Sequence, residues 1–244
     1  MIPNRLIALT LRTVLDVDAA AAAYDLHGLA PAAIIKAVQH LHRHGIDGAS
    51  PSPALQRIVV TAAAIVDAKQ VTEQNVESAD NASERAALDR IAQWLNDDAL
   101  MLIGWHTAAG LLSAVRCRAL RYADAGLTLG HWALASGGRL DTPACAHHDL
   151  AAALNQHSVA TPHALVRTLG VPVSAPMTAD HIDAAWRRGD GQALIDDARL
   201  ELACILAVYR RYALNVQGAA GIDNTPFMAA LRRHEQAVLA EFKP

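Results

Sequence analysis

Residues 54–68, ALQRIVVTAAAIVDA, constrain the fold more than any other stretch. They are apolar and β-branched and are bounded by polar segments, so they predict a strand, and a strand of that length needs a sheet to sit in. Residues 5–17, rich in Leu, Ile, Val and Thr, predict a second strand or a pair of short ones, and ALMLIGW (99–105) a short buried one. The remaining apolar segments carry the helical period. A helix is expected around 30–44, ended by Gly45, and another at SERAALDRIAQWL, where Ala87, Leu88, Ile91, Ala92 and Leu95 share a face.

Further helices are expected at 108–126, at 147–156, at TPHALVRTLG with Thr161 as N-cap and Pro162 in the first turn, at TADHIDAAWRRG, and from about 190 to 215. GASPSP (48–53) reads as a loop, TEQNVESADN as a polar connector, and 127–145 as irregular and Gly-rich. Strands come first and helices dominate later, which predicts an α/β or α+β layer fold. The 244 residues suit one domain, 1–244, with 219–244 as a C-terminal helical tail.

The charge balance narrows the function. With 24 acids against 21 lysines and arginines there is no general positive field to draw in a polyanion, so a nucleic-acid contact would need a local basic patch. No apolar run reaches the roughly 18 residues of a membrane span, and MIPNRLIALT lacks the pattern of a secretory leader. The three cysteines (Cys117, Cys145 and Cys204) are scattered without a CxxC pair, as expected of core thiols in a reducing cytoplasm. Of the clustered histidines, HLHRH (40–44) reads as a solvated helix end and the pair 147–148 has no accompanying metal spacing.

LDVDAA (15–20) stands out chemically. On a β-strand Asp16 and Asp18 point to the same side, as a metal site requires. Around it, several pieces fall in a familiar order. LDVDA (15–19), the strand ALQRIVVTAAAIVDA, GWHTAAGLLSAVRCRAL (104–120), HHDL (147–150), ALVRTLG (164–170) and DDARLELACILAVYRRY (196–212) run colinearly from about residue 10 to 218. In this the chain resembles the predicted 3′-5′ exonucleases related to the proofreading domain of family-B DNA polymerases. These belong to the DEDD group, whose first motif reads approximately F-D-I-E-T, second W-N-G-x-x-F-D-L-P, and last D-Y-C-x-x-D-V-x-x-T-Y-x-L-Y-x-R-Y.

The resemblance implies a ribonuclease H-like mixed β-sheet flanked by α-helices, and a phosphodiesterase that uses two Mg²⁺ or Mn²⁺ ions held by four acids. Carried over residue by residue, Asp16 matches the first acid and Asp18 stands in place of the second, which is Glu in the family. The third acid falls on Leu111, with His106 at the motif's Asn, and the fourth falls on Glu201. Asp197 takes the place of the tyrosine that positions water. The implied protein is a divergent homologue, weak or inactive as a nuclease, with no cofactor.

Two alternatives accompany that reading. Asp16, Asp18, Asp197 and Glu201 restore four acids, Asp197 and Glu201 sharing a helical face at i, i+4, and would make a rebuilt Mg²⁺ or Mn²⁺ site acting on the 3′ end of single-stranded DNA or RNA. A pseudoenzyme would instead bind a protein partner through the former cleft. WRRGD (186–190) and YRRY (209–212) pair bases with aromatics, as nucleic-acid grips do, although helix packing accounts for the same pattern.

Overall fold

The computed structural model describes residues 5–44, 52–67, 70–97, 99–129, 146–154, 161–217 and 225–242. They form an α/β fold around a five-stranded mixed sheet of order β3-β2-β1-β4-β5. The strands are β1 (Leu6–Leu15), β2 (Gln56–Val66), β3 (Val71–Glu77), β4 (Met101–Gly104) and β5 (Ala146–Asp149). β1 and β2 pair antiparallel over their whole length, β3 pairs antiparallel with Val60–Val66 of β2, and β1-β4 and β4-β5 are parallel. Only β2 therefore runs against the rest.

The helices are α1 (Val17–Ala23), α2 (Pro31–His44), α3 (Asn81–Leu95), α4 (Leu112–Arg121), α5 (Leu150–Ala153), α6 (Pro162–Thr168), α7 (Ala179–Arg187), α8 (Gly191–Gln217) and α9 (Pro226–Glu241). The alternation of β1 sorts its side chains between two cores. Leu6, Ala8 and Val14 face α8 and its neighbours, while Ile7 and Leu9 face α3 and α4. Because both faces are covered, β1 and β2 carry apolar residues at consecutive positions, which is why they read as predominantly apolar runs. A bulge between Arg12 and Thr13 shifts the β1-β2 register, leaving Val59 as the extra residue.

Several expectations need correction. VTEQNVE is not a connector but the edge strand β3, on which Thr72, Asn75 and Glu77 are exposed. HHDL opens a strand before its helix: β5 takes Ala146–Asp149, and Asp149 then caps α5 through Ala151 and Ala152. Residues 130–145, with Trp132 and Cys145, lie outside the described residues, as do 45–51. The expected cap at Thr161 is present, its hydroxyl accepting from the Ala164 amide at 3.2 Å. Within the C-terminal segment, α9 packs Phe227, Met228, Leu231, Val238 and Leu239 into the α8 core. Among the described residues no helix is long and apolar enough to cross a membrane.

Gly104 ends β4 where the chain turns sharply. A Cβ there would overlap the methyl of Thr107, which is fully buried and fixed by a hydrogen bond to His147. Gly104→Ala is expected to cost about 1–3 kcal/mol by overpacking. Urea denaturation would read this as a lower midpoint at unchanged slope.

Candidate functional site

β1 is ten residues long, but β4 pairs with only its first three, Leu6 to Ala8. Beyond Ala8 the β4 side of β1 opens into a cavity of about 930 Å³. Such a crevice, beyond the carboxyl end of a short strand in an open sheet, is where α/β folds place ligands. β1 supplies one wall, with Thr10 and Arg12 pointing toward α8. Trp105, His106 and Leu111 come from the turn after β4, and Ile35 and Val38 from α2. α6 adds His163, the α7 region Met177 and Ile182, and α8 adds Asp197, Glu201 and Ile205.

Arg12 is the centre of this site. It is 6% exposed, and its guanidinium is spent on protein acceptors. Nε donates to Asp197 Oδ2 at 2.5 Å, and Nη1 to Glu201 Oε2 at 2.5 Å and to the Leu11 carbonyl at 3.1 Å. Nη2 donates to the Asp197 carbonyl at 2.9 Å. The Thr10 hydroxyl adds a hydrogen bond to Glu201 Oε2 at 2.6 Å, and the Met177 amide one to Asp197 Oδ1 at 2.7 Å.

Burial alone would raise the Glu201 carboxyl. The Arg12 charge and the hydrogen bonds from Thr10 and Arg12 outweigh it and hold the group below the usual carboxylate value. The same two acids, against the cost of burial, raise Arg12 further. Arg12 and Glu201 thus hold each other in their charged forms.

The chain before α4 is strained. His106 has φ 49° and ψ 38°, a left-handed conformation unusual for a residue with a Cβ. It leads into a π-helical turn over Thr107–Leu111, a form that recurs at functional sites. The strain is held by the His106 amide donating to Asp149 Oδ1 at 3.1 Å and the Gly110 amide to the His106 carbonyl at 2.9 Å.

The four acids singled out from the sequence lie in two different places. Asp197 and Glu201 come together on Arg12, in the cavity. Asp16 is not in a strand, because β1 ends at Leu15 and Asp16 caps α1, accepting from the Ala19 amide at 3.0 Å. Its other oxygen takes Arg118 at 2.6 Å and Arg121 at 2.7 Å. Asp18 is exposed in the first turn of α1 and does not share a strand face with Asp16. Among the described residues no three His, Cys, Asp or Glu side chains are grouped to hold a metal ion.

Sequence reasoning missed Arg12 and His163. Arg12 could have been found as a lone charge inside an otherwise apolar strand, which is buried only when paired. The basic-aromatic segments are accounted for within the protein. Arg210 and Arg211 bind the buried Glu235, Arg187 pairs with Asp183, and Trp186 lies under Arg57.

Compared with known proteins, the chain matches no family model, no curated protein and no solved structure.

Proposed function

We propose that this chain is a ribonuclease H-like relative of the DEDD 3′-5′ exonucleases whose metal site has been replaced by an arginine, leaving the cleft as a binding pocket without hydrolysis. One observation carries the reading. The family pattern F-D-I-E-T also fits Leu9–Thr13, LTLRT, inside β1 rather than after it. In that register Leu9 and Leu11 keep the apolar places, Thr13 keeps the threonine, and the two acid places fall on Thr10 and Arg12. With Leu111 and Glu201, all four acid places then line one cavity, and only Glu201 is still an acid.

What supports the fold half is the sheet, five mixed strands in the order 3-2-1-4-5 with only β2 reversed and helices on both faces. The turn after β4 agrees with it: His106 is left-handed where the family motif has Asn, one of the few residues that takes that conformation readily. Chemically, the guanidinium of Arg12 supplies the positive charge that metal ions would otherwise bring to these carboxylates. It has no open coordination position and cannot activate water, so two-metal hydrolysis has no place to occur.

The test is trimming of a 5′-labelled single-stranded oligonucleotide in Mn²⁺. Wild type is expected to leave it intact and to show no calorimetric Mn²⁺ binding at about 1 mM, a concentration at which a competent carboxylate site would fill. Restoring both acids, Thr10→Asp with Arg12→Glu, is expected to create Mn²⁺ binding. A ladder of shortened products from wild type, abolished by Glu201→Gln, would overturn the reading in favour of an active Mg²⁺- or Mn²⁺-dependent exonuclease.

A further inference from the structure

The cavity beside Arg12 contains more acid than Arg12 can neutralise. Four carboxylates line it, Asp180, Asp183, Asp197 and Glu201, against that single guanidinium. Asp197 has both oxygens engaged and Asp183 is paired with Arg187. Glu201 differs. Only its Oε2 is engaged among the described residues, and its side chain keeps 21% of its surface open. Asp180 is exposed and carries no ion pair among the described residues.

A second observation is independent of these acids. His163 borders the same cavity, is 1% exposed, and has both ring nitrogens buried without a hydrogen-bond partner among the described residues. A buried polar atom left unpaired is costly, so such a group marks a place where hydrogen-bond partners are missing. Burial also holds this ring toward its neutral form, which leaves one bare nitrogen as an acceptor beside one N–H donor. The site therefore offers acceptors, Glu201 Oε1 and an imidazole nitrogen, with no spare cation to hold a phosphate. Apolar side chains, the indole of Trp105 among them, make up much of the rest of the lining, beside neutral polar ones such as Gln39 and Gln56.

We infer that the cavity binds a small organic cation, an ammonium or guanidinium group on an apolar or aromatic body, with the charged nitrogen donating to Glu201 and the body lying against Trp105 and the aliphatic wall. The volume lies within the range of small-molecule sites, and the sign of the lining selects against nucleotides and other phosphates. This goes beyond the proposed loss of hydrolysis and stands on the lining alone, so it would survive a different origin for the fold.

The probes are three indoles of one size: tryptamine (cationic), tryptophol (neutral) and indole-3-acetate (anionic), titrated calorimetrically into the full chain at pH 7. Tryptamine is expected to bind, about tenfold tighter than tryptophol, with indole-3-acetate unbound, since one charge contact commonly moves affinity by that factor. Glu201→Gln is expected to weaken tryptamine about tenfold and leave tryptophol unchanged. Asp180→Asn, an exposed position outside the Arg12 trio, is expected to weaken it a few-fold while leaving the thermal midpoint in place. No tryptamine binding at about 10 mM, equal affinity for the three indoles, or equal affinity in wild type and both variants would each overturn the proposal. The Mn²⁺ and oligonucleotide experiment reads different observables, so failure here is distinguishable from failure of the non-hydrolytic reading.

Discussion

Arg118→Met lowers the stability of the fold by about 3–5 kcal/mol, the cost of leaving a buried carboxylate without its partner. Arg118 is 2% exposed and sits between two acids. Its Nε and Nη2 form a fork on Glu84 at 2.8 and 2.6 Å, and Nη1 reaches Asp16 at 2.6 Å. Glu84 is fully buried and has four donors, the other two being the Ile58 amide at 2.8 Å and the Tyr122 hydroxyl at 2.7 Å. The network ties α3 to α4, to the start of β2 and, through Asp16, to the N-terminus of α1. Methionine fills much of the volume but donates nothing, and Glu84 cannot reach water. The exposed pair Arg5–Asp97, by contrast, has half-open side chains and is worth at most about 1 kcal/mol.

Thermal or urea unfolding of Arg118→Met measures the loss directly. If the pairing sets the cost, Glu84→Gln in the same background should recover part of it, because an amide is cheaper to bury unpaired than a carboxylate. A loss below about 1 kcal/mol would mean that α3 and α4 are held by their apolar faces alone.

This cluster also explains why LDVDAA misleads. Two aspartates at i, i+2 after an apolar run look like strand-borne metal ligands. Asp16 is instead committed twice, to the first turn of α1 and to two arginines whose side chains arrive from about a hundred residues away. No local pattern encodes that pairing. The apolar content of β1 and β2 was legible because both faces are buried, and α3 and α8 because their apolar residues recur with helical spacing.

β3 was not legible, since this partly exposed edge strand carries four consecutive polar residues, Thr72 to Asn75, and resembles a connector. β5 is four residues long and held in place by β4, so propensity had little to report. In the candidate site, Asp197 and Glu201 were found from their i, i+4 spacing, which puts both on the cavity side of α8. Their partner could not be found that way, because Arg12 meets them only through the β1–α8 contact.

Arg12→Met should reverse the sign of the protein's response to acid at this site. In wild type the Glu201 carboxyl lies below its ordinary value, so it contributes stability that is present above the unfolded carboxylate value of about 4.3 and lost as pH falls through the folded one. Removing the guanidinium removes the attraction and leaves the burial. Glu201 then faces its neighbour Asp197, 8% exposed, in a poorly hydrated place with no cation between them, and its folded-state value rises above the unfolded one. A group raised in this way stabilises the fold at low pH and loses that contribution as pH increases.

The variant should therefore be about 3–5 kcal/mol less stable than wild type near pH 7, with the gap narrowing steadily toward pH 4. Urea midpoints at pH 4, 5, 6 and 7 test this for both proteins. Parallel pH profiles would show that Arg12 acts by packing its stem rather than by holding the Glu201 carboxylate ionised. Adding Glu201→Gln to Arg12→Met separates the two further. If charge governs, the double variant should regain stability at pH 7 and lose most of its pH slope; if the hydrogen bond from Thr10 governs, it should do neither.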